Sequence, residues 1–101
     1  MDNESELKYV LKNIENNETN YEIREILIAQ AMYLAKKIGY KAGIRFGTLT
    51  DENDNGNDWP VWCIELPNIG EISWHCPSFK GVYDGYTTNE KYDRIHKYLN
   101  K

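Results

Sequence analysis

The chain has 101 residues, enough for one modest hydrophobic core and too few for two domains. A net charge of −4 and a pI near 5.1 argue against direct binding to a nucleic-acid backbone. No apolar run reaches the length of a membrane span, and the acidic first residues are unlike a signal peptide. We therefore expect a single domain over residues 1–101 that works in the cytoplasm with both cysteines reduced.

The N-terminal half is predicted to form two helices. Apolar residues at helical spacing mark the first over residues 5–16. Thr19 and Glu22 fit a capping box for a longer second helix, which Gly39 ends. The side chains expected to face the core from this second helix recur every three or four residues. They are Ile23, Ile26, Leu27, Ala31, Leu34 and Ile38.

Alternating apolar residues predict three antiparallel strands over residues 41–50, 59–66 and 71–76, with a short hairpin turn at residues 67–70. The residues expected to share the core face are Trp62, Ile64, Leu66, Ile72 and Trp74. In the predicted register Leu66 opposes Ile72 and Ile64 opposes Trp74. On the other face, Cys63 then lies opposite His75 and Glu65 opposite Ser73, with Arg45 within reach.

A last helix is predicted over residues 87–100, where Thr87 and Glu90 fit a second capping box. Its core face is expected to carry Tyr92, Ile95 and Leu99, and its outer face Lys91, Arg94 and Lys97. The element order helix, helix, three strands, helix predicts an α+β fold. In this fold the helices pack on one face of a three-stranded antiparallel meander, giving two layers.

The junction between the third strand and the last helix is the leading candidate for a ligand site. A helix N-terminus offers free amides to an anion, and aromatic side chains offer faces on which a base can stack. Asp84 and Thr87 also have a purely structural interpretation, as a turn residue and a helix cap. The candidate ligand-binding residues are Arg45, Trp74, His75, Tyr83, Asp84, Tyr86, Thr87 and Thr88.

The same junction resembles the WDGH-domain family of small phage and prophage proteins. The resemblance is carried by Trp74-His75-x-Pro77 and then Tyr83-Asp84-Gly85-Tyr86-Thr87-Thr88-x-Glu90-Lys91-Tyr92-x-x-Ile95. The name-giving tetrapeptide reads Tyr-Asp-Gly-Tyr here, so an acid–base role of the family histidine does not carry over. The resemblance implies an accessory protein of a mobile element, acting in the host cytoplasm, and supplies no mechanism.

An acidic stretch supports a second hypothesis. No Lys or Arg occurs between Phe46 and Phe79, and charge complementarity would suit docking on a basic surface of a host defence protein, as anti-CRISPR proteins do. The residues expected at that interface are Asp51, Glu52, Asp54 and Asp58.

A third hypothesis is a small hydrolase that uses His75 and Asp84. Cys63 and His75 form a further possible nucleophile pair, without a third group to orient them. The soft ligands Cys63, His75, Cys76 and His96 lack metal-site spacing, so we expect neither a metal nor another cofactor. Because no catalytic set is complete, binding without turnover is the leading hypothesis. It is also the commoner role among phage accessory proteins, which is an analogy.

The aromatic content predicts self-association. Eight Tyr and three Trp exceed what so small a core needs. We expect a homo-oligomer, most simply a twofold dimer, with a pocket at or near the interface.

Overall fold

The computed structural model describes residues 2–17, 19–48, 58–75 and 89–100. Within these residues the chain forms α1 (Asn3–Asn16), α2 (Tyr21–Ile38), β1 (Ala42–Thr48), β2 (Asp58–Leu66), β3 (Gly70–His75) and α3 (Asn89–Leu99). This order and the antiparallel sheet confirm the predicted α+β fold. Among the described residues, no helix combines the length and the apolar character needed to cross a membrane.

Side chains cap the first two helices. The Asp2 carboxylate accepts a hydrogen bond from the Ser5 amide at 2.7 Å, and this bond lowers the pKa of Asp2. Asn20, and not the predicted Thr19, caps α2 by accepting from the Ile23 amide at 3.3 Å. Asn and Thr side-chain oxygens can both accept from a free amide of the first turn, so the sequence allowed a cap at either residue. Gly39 ends α2 as predicted, with a φ of 105° that glycine adopts without strain.

The buried face of α2 differs from the predicted one. Ile23 is 43% exposed and Ile26 62% exposed, whereas Arg24 and Ile28 are fully buried. Ala31 and Leu34 are buried as predicted. Leu27 and Ile38 pack against the core, so the prediction is wrong only in the first turns of α2, where apolar residues occur on both sides of the helix.

The sheet has the order β1-β2-β3. The predicted faces are confirmed, since Ile64, Leu66, Ile72 and Trp74 lie in the core and Trp62 packs against it. The predicted β2–β3 register is wrong by two residues: Leu66 opposes Gly70, Ile64 opposes Ile72 and Trp62 opposes Trp74. The turn is tighter than expected because Asn68 and Gly70 adopt positive φ values of 63° and 120°. A shift of two residues preserves the faces, since side chains alternate with a period of two.

The core lies between the sheet and the helices. The face of α1 with Leu7, Leu11 and Ile14 packs on α2, and α2 in turn contacts β1 and β2. The third helix contacts β3 and α1, with Ile95 and Tyr98 fully buried. Placing α3 against β3 brings the last described residues of the sheet next to the first turn of the final helix.

Candidate functional site

The C-terminal end of β3 and the first turn of α3 meet through Trp74 and Lys91. The Nζ atom of Lys91 lies 5.7 Å from the centroid of the Trp74 ring, within range of a cation–π contact. Both side chains are buried, Trp74 with 1% and Lys91 with 8% of their surface exposed. The sequence prediction had Lys91 facing outward, which is wrong. The end of β3 and the first turn of α3 therefore lie side by side.

Trp74 contributes a polar group to this junction. Its indole Nε1 is buried, and in the part of the chain that the structure describes it has no hydrogen-bond acceptor. An indole N–H is a donor only, and a buried donor without an acceptor costs roughly 1–3 kcal/mol. Trp74 was predicted both as a core residue and as a stacking surface. Its burial agrees with the first role, while the contact with Lys91 already occupies one side of the ring.

Arg45 was predicted to reach a phosphate, and the structure places it in an ion pair. Its Nη2 donates to Glu71 Oε1 at 2.7 Å across the outer face of the sheet, and this hydrogen bond raises the pKa of Arg45. About half of each side chain remains exposed, 53% for Arg45 and 45% for Glu71. Such a pair contributes little to stability because water screens it. An anion at Arg45 would therefore share the guanidinium with Glu71 or compete with it.

Beside this ion pair lies a shallow depression of about 290 Å³. Its lining combines charged side chains with small and apolar ones: Lys41, Ala42, Gly43, Ile44, Arg45, Cys63, Glu65 and Glu71. Two of its charged side chains, Arg45 and Glu71, are bound to each other. The depression spans all three strands and does not include Trp74 or Lys91.

Cys63 does not have the surroundings of a nucleophile. It lies opposite Ser73, and His75 lies opposite Val61, so the predicted Cys63–His75 pairing is wrong. The Cys63 thiol donates to the Val61 carbonyl at 3.6 Å. Burial, assisted by the nearby Glu71 carboxylate, raises the pKa of this thiol. Activation of a thiol requires the opposite shift.

The remaining soft ligand with a described side chain, His96, lies on the exposed side of α3. Its Nε2 is 2.9 Å from the Glu15 carboxylate, which links α3 to α1. Among the described side chains, no group of three potential metal ligands comes together.

Other predicted site residues fall where little or nothing is described. The backbones of His75 and Asp58 lie in β3 and β2, and their side chains are not described. The rest lie outside the described residues: Asp51, Glu52, Asp54, Cys76, Tyr83, Asp84, Tyr86, Thr87 and Thr88.

Sequence reasoning overlooked Lys91, although a signal for it was present. Lys91, Ile95 and Tyr98 are spaced by four and then three residues, which places them on one stripe of α3. The sequence prediction instead placed Tyr92, Ile95 and Leu99 on the core face. Arg94 was predicted on the outer face of the helix without a partner. Its Nη1 donates to the Glu71 carbonyl at 2.7 Å and so links α3 to β3.

Comparisons with protein-family models, curated proteins and solved structures find no match, so membership of the WDGH-domain family stays a prediction that rests on the junction motif.

Proposed function

We propose that this protein binds and sequesters a small anionic ligand, of nucleotide-derived chemistry, at the junction of β3 and α3, without chemical turnover. The observation that carries the proposal is the buried contact between Lys91 and Trp74. It places a cation from the first turn of α3 beside an indole N–H donor from the end of β3.

Burial increases what such a cation contributes to binding. The attraction between two charges grows as water is excluded. It is several-fold stronger in a partly buried site than in bulk water. The ammonium of Lys91 is therefore a better anchor for a phosphate than the exposed Lys97 on the same helix. An oxygen of the ligand would also supply an acceptor for the indole N–H of Trp74.

The nucleotide part of the proposal rests on the sequence between the two anchors. Tyr83 and Tyr86 supply aromatic rings, and Thr87 and Thr88 supply hydroxyls, immediately before α3. Any nucleotide base can stack on an aromatic ring, whichever base it is. Sequestration is favoured over catalysis because the one described thiol has a raised pKa. In the host cytoplasm, removal of a signalling nucleotide would weaken a response of the host.

Two measurements test the proposal. A native mass spectrum of protein purified from the producing cells should show a retained mass that is lost on denaturation. Isothermal calorimetry against linear mononucleotides, 3′,5′-cyclic mononucleotides and cyclic dinucleotides should then identify the class. Absence of a retained mass, together with no heat from any nucleotide, would contradict the proposal.

A second candidate function has one specific observation in its favour. Glu65 and Glu71 lie directly opposite each other on β2 and β3, and both are exposed. Like charges at opposed positions destabilise a sheet. Arg45 neutralises one of them, and a basic surface on a host defence protein would neutralise the other. This arrangement suits the acidic-inhibitor hypothesis.

A further inference from the structure

The outward face of α2 carries large apolar side chains that the core does not use. Ile26 is 62% exposed, Tyr33 61% and Ile23 43%. The opposite side of the helix is fully engaged, with Ile28, Ala31 and Ala35 buried. A helix that is apolar on two sides normally has a neighbour on each.

The spacing of this outward face is that of a coiled-coil seam. The seam consists of Ile23, Ile26, Gln30, Tyr33 and Lys37, separated by three, four, three and four residues. Alternating steps of three and four keep such residues on one line of the helix, where they pack against an equivalent line. The ammonium of Lys37 lies 5.3 Å from the centroid of the Tyr33 ring, so the lysine stem covers part of the same surface.

The charges beside the seam identify its partner. Glu22 is in the first turn of α2 and Lys36 is in the last turn, and both are exposed on the same flank. If two copies pack antiparallel, Glu22 of each meets Lys36 of the other, and the helix dipoles are also opposed. The same alignment places Ile23 against Tyr33 and Ile26 against Gln30 of the second copy. Ala29, on the same flank, then lies at the twofold axis and lets the helices approach closely.

We propose that α2 is the interface of a twofold homodimer, in which the seam of one copy packs antiparallel on the seam of a second. Gln30 is the single uncharged polar residue in the seam, and one such residue fixes the register of paired helices. A lipid surface fits this face less well, because interfacial helices carry clustered Lys and Arg along the polar side. Here the first turn contains Glu22, and the other side of the helix lies in the core. The inference is independent of the ligand site.

Sedimentation equilibrium of the full chain tests the interface. At micromolar concentration the mass should approach twice the 11.9 kDa chain. Ile26→Glu should raise the dissociation constant at least about tenfold, since it places a charge at the centre of the seam. Lys12→Glu on the exposed face of α1 is the matched control and should leave it unchanged. A monomer at high micromolar concentration, or a dimer unaffected by Ile26→Glu, overturns the proposal.

Charge exchange and cross-linking test the antiparallel register. Glu22→Lys and Lys36→Glu should each weaken the dimer, and the double variant should restore it, although both changes oppose the helix dipole and lower the melting temperature. Under mild oxidation, Ala29→Cys should form a covalent dimer faster than Lys12→Cys. The wild type shows how much cross-linking the two native cysteines cause by themselves. Failure of the double variant to restore the dimer, equal cross-linking of the two variants, or binding of monomer to phosphatidylglycerol vesicles overturns the proposal.

Discussion

Lys91 and Trp74 form the one buried cation–π contact that joins the sheet to the final helix among the described residues. Trp74 is directly opposite Trp62 on the core face of the sheet, and Lys91 shares a stripe of α3 with Ile95 and Tyr98. The contact is therefore held from both sides by the core. A ligand that uses the Lys91 ammonium would meet a preorganised group, which reduces the entropic cost of binding.

Replacing Lys91 tests its role as an anchor. Lys91→Met keeps the length and apolar stem of the side chain and removes the charge, so we expect nucleotide binding to be lost. The lost cation–π contact is worth about 2 kcal/mol in a buried setting, and the packing of Met on Trp74 offsets part of it. Calorimetry and thermal denaturation are the measurements. Lys97→Met, on the exposed side of the same helix, should bind as the wild type does. Unchanged affinity in Lys91→Met would remove Lys91 from the site.

Two substitutions at Trp74 separate packing from hydrogen bonding. Trp74→Ala should cost about 3–5 kcal/mol in free energy of unfolding, as for other buried aromatic residues. Trp74→Phe retains most of the packing and removes the N–H. We therefore expect it to keep most of the wild-type free energy of unfolding and to bind the ligand about tenfold more weakly. Urea unfolding and calorimetry measure the two effects. The opposed Trp62→Phe is the control, and equal affinities in the two Phe variants would argue against an indole hydrogen bond.

The helices show how far hydrophobic spacing can be taken. It located α1, α2 and α3 to within about two residues of their described bounds, because helical spacing is a local pattern. It was wrong in the first turns of α2, where Ile23 and Ile26 are exposed and Arg24 is buried. A sequence rule penalises a buried arginine, and only the tertiary packing decides which apolar face meets the core.

For the strands and the site, sequence patterns predict local features but not how separate elements align. Alternation predicted which residues of β2 and β3 face the core, since that pattern is local. The register depended on positive φ values at Asn68 and Gly70, which the turn sequence permits but does not demand. The site prediction, which stays a prediction, named residues around the junction and overlooked Lys91, because a lysine on a helix is normally assigned to solvent.

The Cys63 thiol should react slowly at neutral pH. Burial and the Glu71 carboxylate raise its pKa, so less thiolate is present than at an ordinary cysteine, whose pKa is about 8.5. Alkylation by iodoacetamide, followed by peptide mapping, should show a rate at Cys63 that still rises above pH 9. The urea-unfolded chain is the control and should level off at lower pH. Rapid labelling of native Cys63 at pH 7 would show an activated thiol and support a catalytic role.

Tyr98 should make stability sensitive to alkali. Burial, with a contribution from Tyr40, raises the pKa of the Tyr98 phenol, so the fold favours its neutral form. This stabilisation is complete below the unfolded value of about 10 and is lost as the pH rises towards the folded pKa. Urea unfolding between pH 8 and pH 11 should therefore show a smaller decline for Tyr98→Phe than for the wild type. Tyr9→Phe, at a side chain that is 61% exposed, should behave as the wild type does.

The last prediction distinguishes ligand binding from docking on a host protein. If a nucleotide-like ligand stacks at the junction, Tyr86→Ala should abolish binding with little change in melting temperature, because an aromatic residue at the rim of a site adds little to the core. Asp84→Ala should lower both affinity and melting temperature, since the sequence predicts that an aspartate before Gly85 stabilises a turn there. Calorimetry and thermal denaturation of these two variants are the measurements.

Docking through the acidic stretch predicts the reverse pattern for the same variants. Tyr86→Ala and Asp84→Ala would then keep full activity. Reversal of the four charges at Asp51, Glu52, Asp54 and Asp58 would abolish it, and the complex would weaken as salt screens the exposed charges. Pull-downs from host lysate at low and high salt, run beside the calorimetry, separate the two. Ion pairs at a rim act mainly on the association rate, so the salt effect should appear in kon before it appears in koff. A protein partner that binds in this salt-dependent way, with no heat from any nucleotide, would replace the ligand site with the acidic surface as the functional part of the molecule.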